Sequence, residues 1–148
     1  MERVSIGIPV PTFLKTRSGV SAEKILLGNR RGEPRVVLDE SRDEFVQALL
    51  NILNNARDAF RERGTDDPRV TITICTEGDR SVVTISDNAG GIPEEIMGKI
   101  FDPYFTTKGP QQGTGIGLFM SKAIIEKNMG GRLTVRNTGQ GAEFRIEV

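Results

Sequence analysis

The sequence predicts an α+β fold, a two-layer α/β sandwich in which helices back one face of a mixed β-sheet. Two observations predict it. Segments 42–63 and 115–128 carry apolar residues at helical spacing, and short alternating segments lie on either side of them. Helices and strands then mix without the strict strand–helix–strand rhythm of a doubly wound fold.

Val4–Val10 alternates and reads as a strand that Pro9 and Pro11 interrupt. Lys24–Leu27 and Arg35–Leu38 are short strand candidates around the turn-like Gly28-Asn-Arg-Arg-Gly32. Residues 1–35 carry no motif that points to a function. Ser41-Arg-Asp-Glu44 is a capping-box signature before a long apolar pattern that Gly64 stops, giving a helix over 42–63. Arg69–Thr76 and Ser81–Ser86 alternate and form strands joined by Glu77-Gly-Asp-Arg80. Pro93–Ile100 reads as a short helix and Lys108–Gly115 as loop. Gly115–Asn128 is the second long helix, closed by Gly130-Gly131. Arg132–Arg136 and Ala142–Val148 form a hairpin around Asn137-Thr-Gly-Gln-Gly141.

A chain of 148 residues is one domain of ordinary soluble composition, with 36% hydrophobic and 27% charged residues. Twenty Lys+Arg balance twenty Asp+Glu, so bulk charge gives no reason to expect nucleic acid or an anionic membrane as partner. No run approaches the roughly 18 apolar residues of a membrane span. Nothing in Met1–Val20 has the order of a signal peptide. The single Cys75 forms no internal disulfide. Histidine is absent, which excludes Ser–His and Cys–His triads, His-ligated zinc and any phosphohistidine on this chain. Of 17 glycines, 11 fall between Gly90 and Gly141, where backbone must approach something closely or take positive φ.

Three segments carry candidate chemistry. With Phe45 at zero on a helical wheel, Leu49, Ile52, Leu53, Ala56 and Phe60 fall within about −20° to +80° and form the buried stripe. Asn51, Asn55 and Asp58 fall at about −80° to −140°, a polar ridge beside that stripe, while Gln47 and Asn54 point to solvent. Amide oxygens are neutral, hard ligands suited to a magnesium ion that keeps waters and takes phosphate oxygens. Taken alone, the ridge equally reads as the polar flank of an exposed helix. Thr84-Ile-Ser-Asp87-Asn-Ala-Gly90-Gly91-Ile-Pro93 ends a strand in a carboxylate beside two glycines. That carboxylate can accept from an exocyclic amine such as adenine's, or merely cap the turn. Gly113-Thr-Gly115-Ile-Gly117-Leu118 opens the second long helix, where free N–H groups favour an anion. It is neither a Walker A nor a Rossmann fingerprint, and alone it also fits a flexible loop.

These elements occur in one order, with Ile100-Phe-Asp-Pro-Tyr-Phe-Thr-Thr-Lys108 between the last two. Over residues 39–148 that ordered set resembles the catalytic, ATP-binding domain of sensor histidine kinases, in the superfamily that includes gyrase and MutL. Residues 1–38 then read as N-terminal strands extending the same domain. The resemblance implies a Bergerat-type fold with ATP and Mg2+ held between sheet and helices. It implies that Asn55, with Asn51, ligates magnesium. It implies that Asp87 bonds the adenine amine, that Gly91 and Ile92 lie by the ring, and that residues 94–112 form a mobile lid anchored by Phe101 and Phe105. Phe105, Thr106, Thr107 and Lys108 would meet the nucleotide from that lid. Gly113, Thr114, Gly115, Ile116, Gly117 and Leu118 would do so from the helix start.

The sequence departs from the family pattern at three positions. Ala89 stands where the first glycine after the aspartate is usual. Asp58 stands where many members place a phosphate-binding lysine, so Arg57 or Lys108 must supply any cation there. Asn51 stands where ATP-hydrolysing relatives carry a general-base glutamate, which favours transfer over hydrolysis. The resemblance implies a cytoplasmic, monomeric domain that supplies the γ-phosphoryl of ATP to a histidine on a separate dimerisation domain, with a response regulator downstream. Asn51, Asn55 and Lys108 would be its catalytic residues. A non-catalytic nucleotide-sensing or partner-binding module, a stand-alone anti-sigma-factor serine kinase and an ATPase of the gyrase or MutL type are the alternatives.

Overall fold

The computed structural model describes residues 4–9, 42–109 and 113–148. Strand β1 spans Val4–Pro9 and helix α1 Arg42–Arg63. Strands β2 (Arg69–Glu77) and β3 (Arg80–Asp87) follow. A short helix α2 covers Glu94–Met97 and helix α3 Gly117–Ala123, continuing as a π-helical turn over Ile124–Asn128. Strands β4 (Arg132–Asn137) and β5 (Ala142–Glu147) complete the chain. The strand candidates at 24–27 and 35–38, and Ser41 of the capping box, lie outside the described residues.

The sheet has five strands in the order β1-β2-β3-β5-β4. The α+β fold is the one expected, with one refinement: the mixed sheet is antiparallel at every described pairing. β3 and β4 run the same way because both oppose β5, and β5 inserts between them. β1 pairs from Val4↔Ile74 to Pro9↔Arg69 and is an edge strand among the described residues, a place where proline is tolerated. β2 and β3 close at Glu77↔Arg80 around a two-residue turn, whose Gly78 takes φ +64°.

α1 follows its sequence signals. Asp43 and Glu44 sit in its first turn and Arg61 and Arg63 in its last, each complementing the helix dipole. Gly64 takes φ +58° just past the end, and Thr65 N–H donates back to the Phe60 carbonyl at 3.2 Å, a Schellman-type stop. The apolar stripe of Phe45, Leu49, Ile52, Leu53, Ala56 and Phe60 is buried. It packs in one core with Val70, Ile72, Val83, Ile85, Leu133, Phe144 and Ile146 from the sheet. Cross-strand partners Cys75 and Val82 are also buried but lie outside that core.

The second long helix ends at Asn128 as its sequence reads but differs at its start and in the form of its last turn. It begins at Gly117, not Gly115, because Gly115 holds φ +66°. It closes in a wider turn, with Met129 N–H donating to the Ile124 carbonyl at 3.1 Å, and this turn buries both Ile124 and Ile125. Gly131 then passes so close to the Glu147 carbonyl that a Cβ has no room.

Candidate functional site

α1, the end of β3, the segment 100–109 and the start of α3 surround one open cavity of about 310 Å3. Every site residue predicted from sequence lines it except Ile116, which is the N-cap of α3. The order read along the chain is thus a cluster in space.

At the β3 end, Asp87 Oδ1 accepts from the Ala89 N–H at 2.9 Å and the Ala142 N–H at 3.2 Å. Both described bonds fall on Oδ1, so Oδ2 retains its accepting capacity at the cavity wall. The Ala89 departure does not disturb the turn. Gly90 and Gly91 supply the positive φ, at +91° and +85°, and Ala89 is buried. Gly141, read from sequence only as part of a hairpin turn, packs on Asp87. A Cβ there would overlap the Asp87 carbonyl oxygen and come within 2.5 Å of Oδ1.

On α1, Asn55 and Asp58 converge on the ammonium of Lys108. Lys108 Nζ donates to Asn55 Oδ1 at 3.1 Å and pairs with Asp58 Oδ2 at 2.6 Å. Asp58 Oδ1 meets Arg57 at 3.1 Å. Burial alone pushes the Asp58 carboxyl up, but Lys108 and then Arg57 outweigh it and hold it below its ordinary value. Where a lysine was usual on the helix, the cation comes instead from segment 100–109 and its partner carboxylate from the helix.

Asn51 lines the cavity, but its amide is committed to helix packing. Its Nδ2 donates to the Gly117 carbonyl at 3.0 Å and to Ser121 Oγ at 3.2 Å, and its Oδ1 accepts from Gln47 at 3.0 Å. Ser121, fully buried, donates in turn to the Gly117 carbonyl at 2.9 Å. The expectation that Asn55, with Asn51, ligates magnesium thus meets two different settings. Asn51 straps α1 to α3, which puts its oxygen against Gln47, while the Asn55 oxygen meets a cation. Asn54, expected to face solvent, is half-buried on the cavity wall, because the cavity wraps further around α1 than the polar ridge alone indicates.

Segment 100–109 packs on the core through the two aromatics that the resemblance singled out as anchors. Phe101 packs edge-on to Phe144, with centroids 6.4 Å apart and Lys122 Nζ 4.7 Å from its ring centroid. Phe105 packs on the core. The Tyr104 N–H donates to the Gly115 carbonyl at 2.9 Å, and a Cβ on Gly115 would come within 2.7 Å of the Phe105 nitrogen. Gly115 is thus a glycine for its φ and for this close crossing as much as for any ligand. Gly113 crosses the same segment, with a Cβ position 2.9 Å from Lys108 Cβ. Residues 110–112, included in the expected lid, lie outside the described residues.

The residues fit a nucleotide with a divalent ion at its phosphates. Asn55 offers one neutral amide oxygen on the cavity wall, which leaves the other positions of such an ion to phosphate oxygens and water, as magnesium prefers. The sequence reading missed Arg63, Asn137, Gly141 and Phe144. All four stand in or beside stretches read only as a helix end or a hairpin, and nothing in their local pattern points to the cavity.

A fold of this layout, with its cavity between helices and sheet, belongs to a recognised class. The family described as histidine kinase-, DNA gyrase B- and HSP90-like ATPase matches residues 40–148, and the chain belongs to it. Within that family it is an ATP-binding catalytic domain of the sensor histidine kinase type. The two-component sensor PprA of Pseudomonas aeruginosa is 38% identical over 117 residues, 77% of this chain and 13% of that protein. The chain therefore spans about an eighth of the length of that curated relative. The crystallised catalytic domain of histidine kinase ThkA shares 34% identity at TM-score 0.61, over 72% of this chain and 67% of that one. Full-length ShkA, solved in complex with AMPPNP, shares 28% identity at TM-score 0.57, over 71% of this chain and 21% of that one.

Proposed function

We propose that this domain binds Mg·ATP and presents its γ-phosphoryl group to a histidine on a separate dimerisation domain, for onward transfer to a response regulator. The observation that carries the reading is one cavity shared by Asp87 and by Asn55 with Lys108. On α1, Asn55 and Arg63, which sits against the Asp87 turn, are eight residues and about 12 Å apart. That is comparable with the reach from a nucleobase to its distal phosphates.

In this reading Asp87 Oδ2 accepts from the adenine amine, and Gly91 and Ile92 flank the ring. Asn55, with phosphate oxygens, holds the magnesium ion, which neutralises charge on the transferring phosphoryl. Asn51 acts through α3, fixing the Gly117 end of the helix beside the phosphates. Lys108 leaves Asp58 for the phosphates, and Thr106, Thr107 and Thr114 line their path. Catalysis is positional and electrostatic, and the acceptor histidine is the nucleophile. With no histidine in the chain, the acceptor lies elsewhere. Among the described residues no helix is long and apolar enough to cross a membrane. The proposed phosphotransfer is cytoplasmic chemistry.

The test is to mix the chain with Mg·ATP and a panel of histidine-bearing dimerisation domains and to assay acid-labile phosphate. Phosphate on at least one domain, lost when its histidine is replaced, is expected. Nucleotide binding with no transfer to any of them would favour a nucleotide-sensing module.

A further inference from the structure

We infer that Arg63 and Asn137, neither of them in the sequence-derived site, are positioning residues that hold the Asp87–Ile92 turn in register with an adenine ring. The inference rests on the adenine reading of Asp87 and adds what keeps that carboxylate's turn in place.

The first half of the turn has its own bonds, Ala89 N–H to Asp87 Oδ1, Gly90 N–H to the Gln140 carbonyl and the Asn88 amide to Asp67 and Arg69, whereas its carbonyls at Ala89 and Gly91 and both backbone groups of Ile92 are met by side chains from elsewhere. Two consecutive residues, Gly90 and Gly91, hold positive φ, and glycine loses the most backbone freedom on ordering. Two side chains from outside the turn restrain it. Arg63, the last residue of α1, sends Nη1 to the Ala89 carbonyl at 2.7 Å and Nη2 to the Gly91 carbonyl at 2.8 Å. The planar fork lies across Gly90 so closely that a Cβ there would strike Nη1. A lysine cannot span two carbonyls in this way, because its donors radiate from one nitrogen.

From the opposite side, Asn137 at the end of β4 pairs with Ile92 through both ends of its amide. Its Oδ1 accepts from the Ile92 N–H at 2.8 Å and its Nδ2 donates to the Ile92 carbonyl at 2.7 Å. Gly91 sits against that amide, with a Cβ position 2.8 Å from Oδ1. The two clamps come from the helix layer and from the far edge strand of the sheet, and they enclose the turn that begins at Asp87. Both clamping side chains are exposed, so the core does not depend on them. What they fix is the position of the turn relative to α1, and α1 carries Asn55.

The test separates this role from general stabilisation. Calorimetric titrations compare Mg·ATP with Mg·ITP, in which a carbonyl oxygen replaces the adenine amine. Wild type should bind ATP more tightly by about tenfold, the value of one hydrogen bond to a charged acceptor. Arg63→Met should lower ATP affinity several-fold and leave ITP affinity nearly unchanged, so the ratio collapses. Arg63→Lys, which restores one donor, should recover part of it. Asn137→Ala should reproduce the collapse from the other side, and it serves if Arg63→Met does not fold. A wild type that does not discriminate overturns the adenine reading itself. A discriminating wild type whose clamp variants keep the ratio, or lose ATP and ITP affinity equally, overturns the positioning role and leaves Asp87 in place.

Discussion

At the scale of single residues, the polar ridge of α1 divides into neighbours with different work. Asn55 gives its oxygen to a cation, whereas Asn54, on the same cavity wall, makes no side-chain hydrogen bond among the described residues. Asn55→Ala should abolish the magnesium-dependent part of nucleotide binding. Asn54→Ala should change affinity by less than about threefold, because no side-chain hydrogen bond among the described residues is lost with it. Isothermal titration with and without magnesium checks both, and equal effects would count against Asn55 as the metal ligand. Gly141 carries a second residue-scale expectation. A methyl there overlaps the Asp87 carbonyl. Gly141→Ala should therefore cost about 1–3 kcal/mol of stability through overpacking, read from denaturant midpoints. The helical wheel sufficed to find Asn55, because its phase follows from the buried stripe. It did not suffice to separate Asn51 from Asn55, since that difference is made by Gly117 and Ser121, 66 and 70 residues away.

At the scale of elements, the strands and α1 were legible because each carries its own period and stop signal. The start of the second helix was not, because Gly115 yields to a crossing with the Tyr104–Phe105 backbone that no local pattern records. The same holds for the clamp between Lys108 and Asp58, which joins segment 100–109 to α1 across 50 residues. Its pH dependence has a definite sign. Asp58 titrates below its ordinary value of 3.8, so the clamp contributes fully above that value and is lost as pH falls through the lowered one. The pair is partly exposed and screened, and its contribution is about 1 kcal/mol or less. Tyr104, the one tyrosine in a chain without tryptophan, is 78% exposed on this segment and reports on it. Tyrosine emission should change in acid before the helical circular dichroism does. Lys108→Met should show the acid-end emission already at neutral pH. A wild-type emission that changes only together with unfolding would show that the segment does not depend on the clamp.

At the scale of the whole molecule, four motifs spread over 39–148 fold around one cavity, and their order along the chain made the family legible. What the cavity does with water depends on which acids face it. Asp58 stays paired with Arg57 when Lys108 turns to the phosphates, and Asp87 is engaged at the glycine turn. Glu62, the other lining acid, is exposed one turn past Asp58 on α1. At position 51 an amide stands, with both its ends bonded. None of these is a free base beside the phosphates, and general-base help to water is worth roughly 10²–10⁴-fold. The chain alone should therefore hydrolyse Mg·ATP far more slowly than the common enzyme median of about 10 s⁻¹. Replacing the amide does not simply install the missing base. Asn51→Glu removes the donors to Gly117 and Ser121 and sets a carboxylate against the Gly117 carbonyl, two acceptors with no proton between them, which costs about 1–3 kcal/mol. The variant should be less stable and should gain much less hydrolysis than the full general-base factor. Steady-state phosphate release from a preparation free of contaminating ATPase decides the matter. Wild-type turnover near the enzyme median would mean that a base other than residue 51 activates water, and would move this domain from phosphoryl transfer toward hydrolysis.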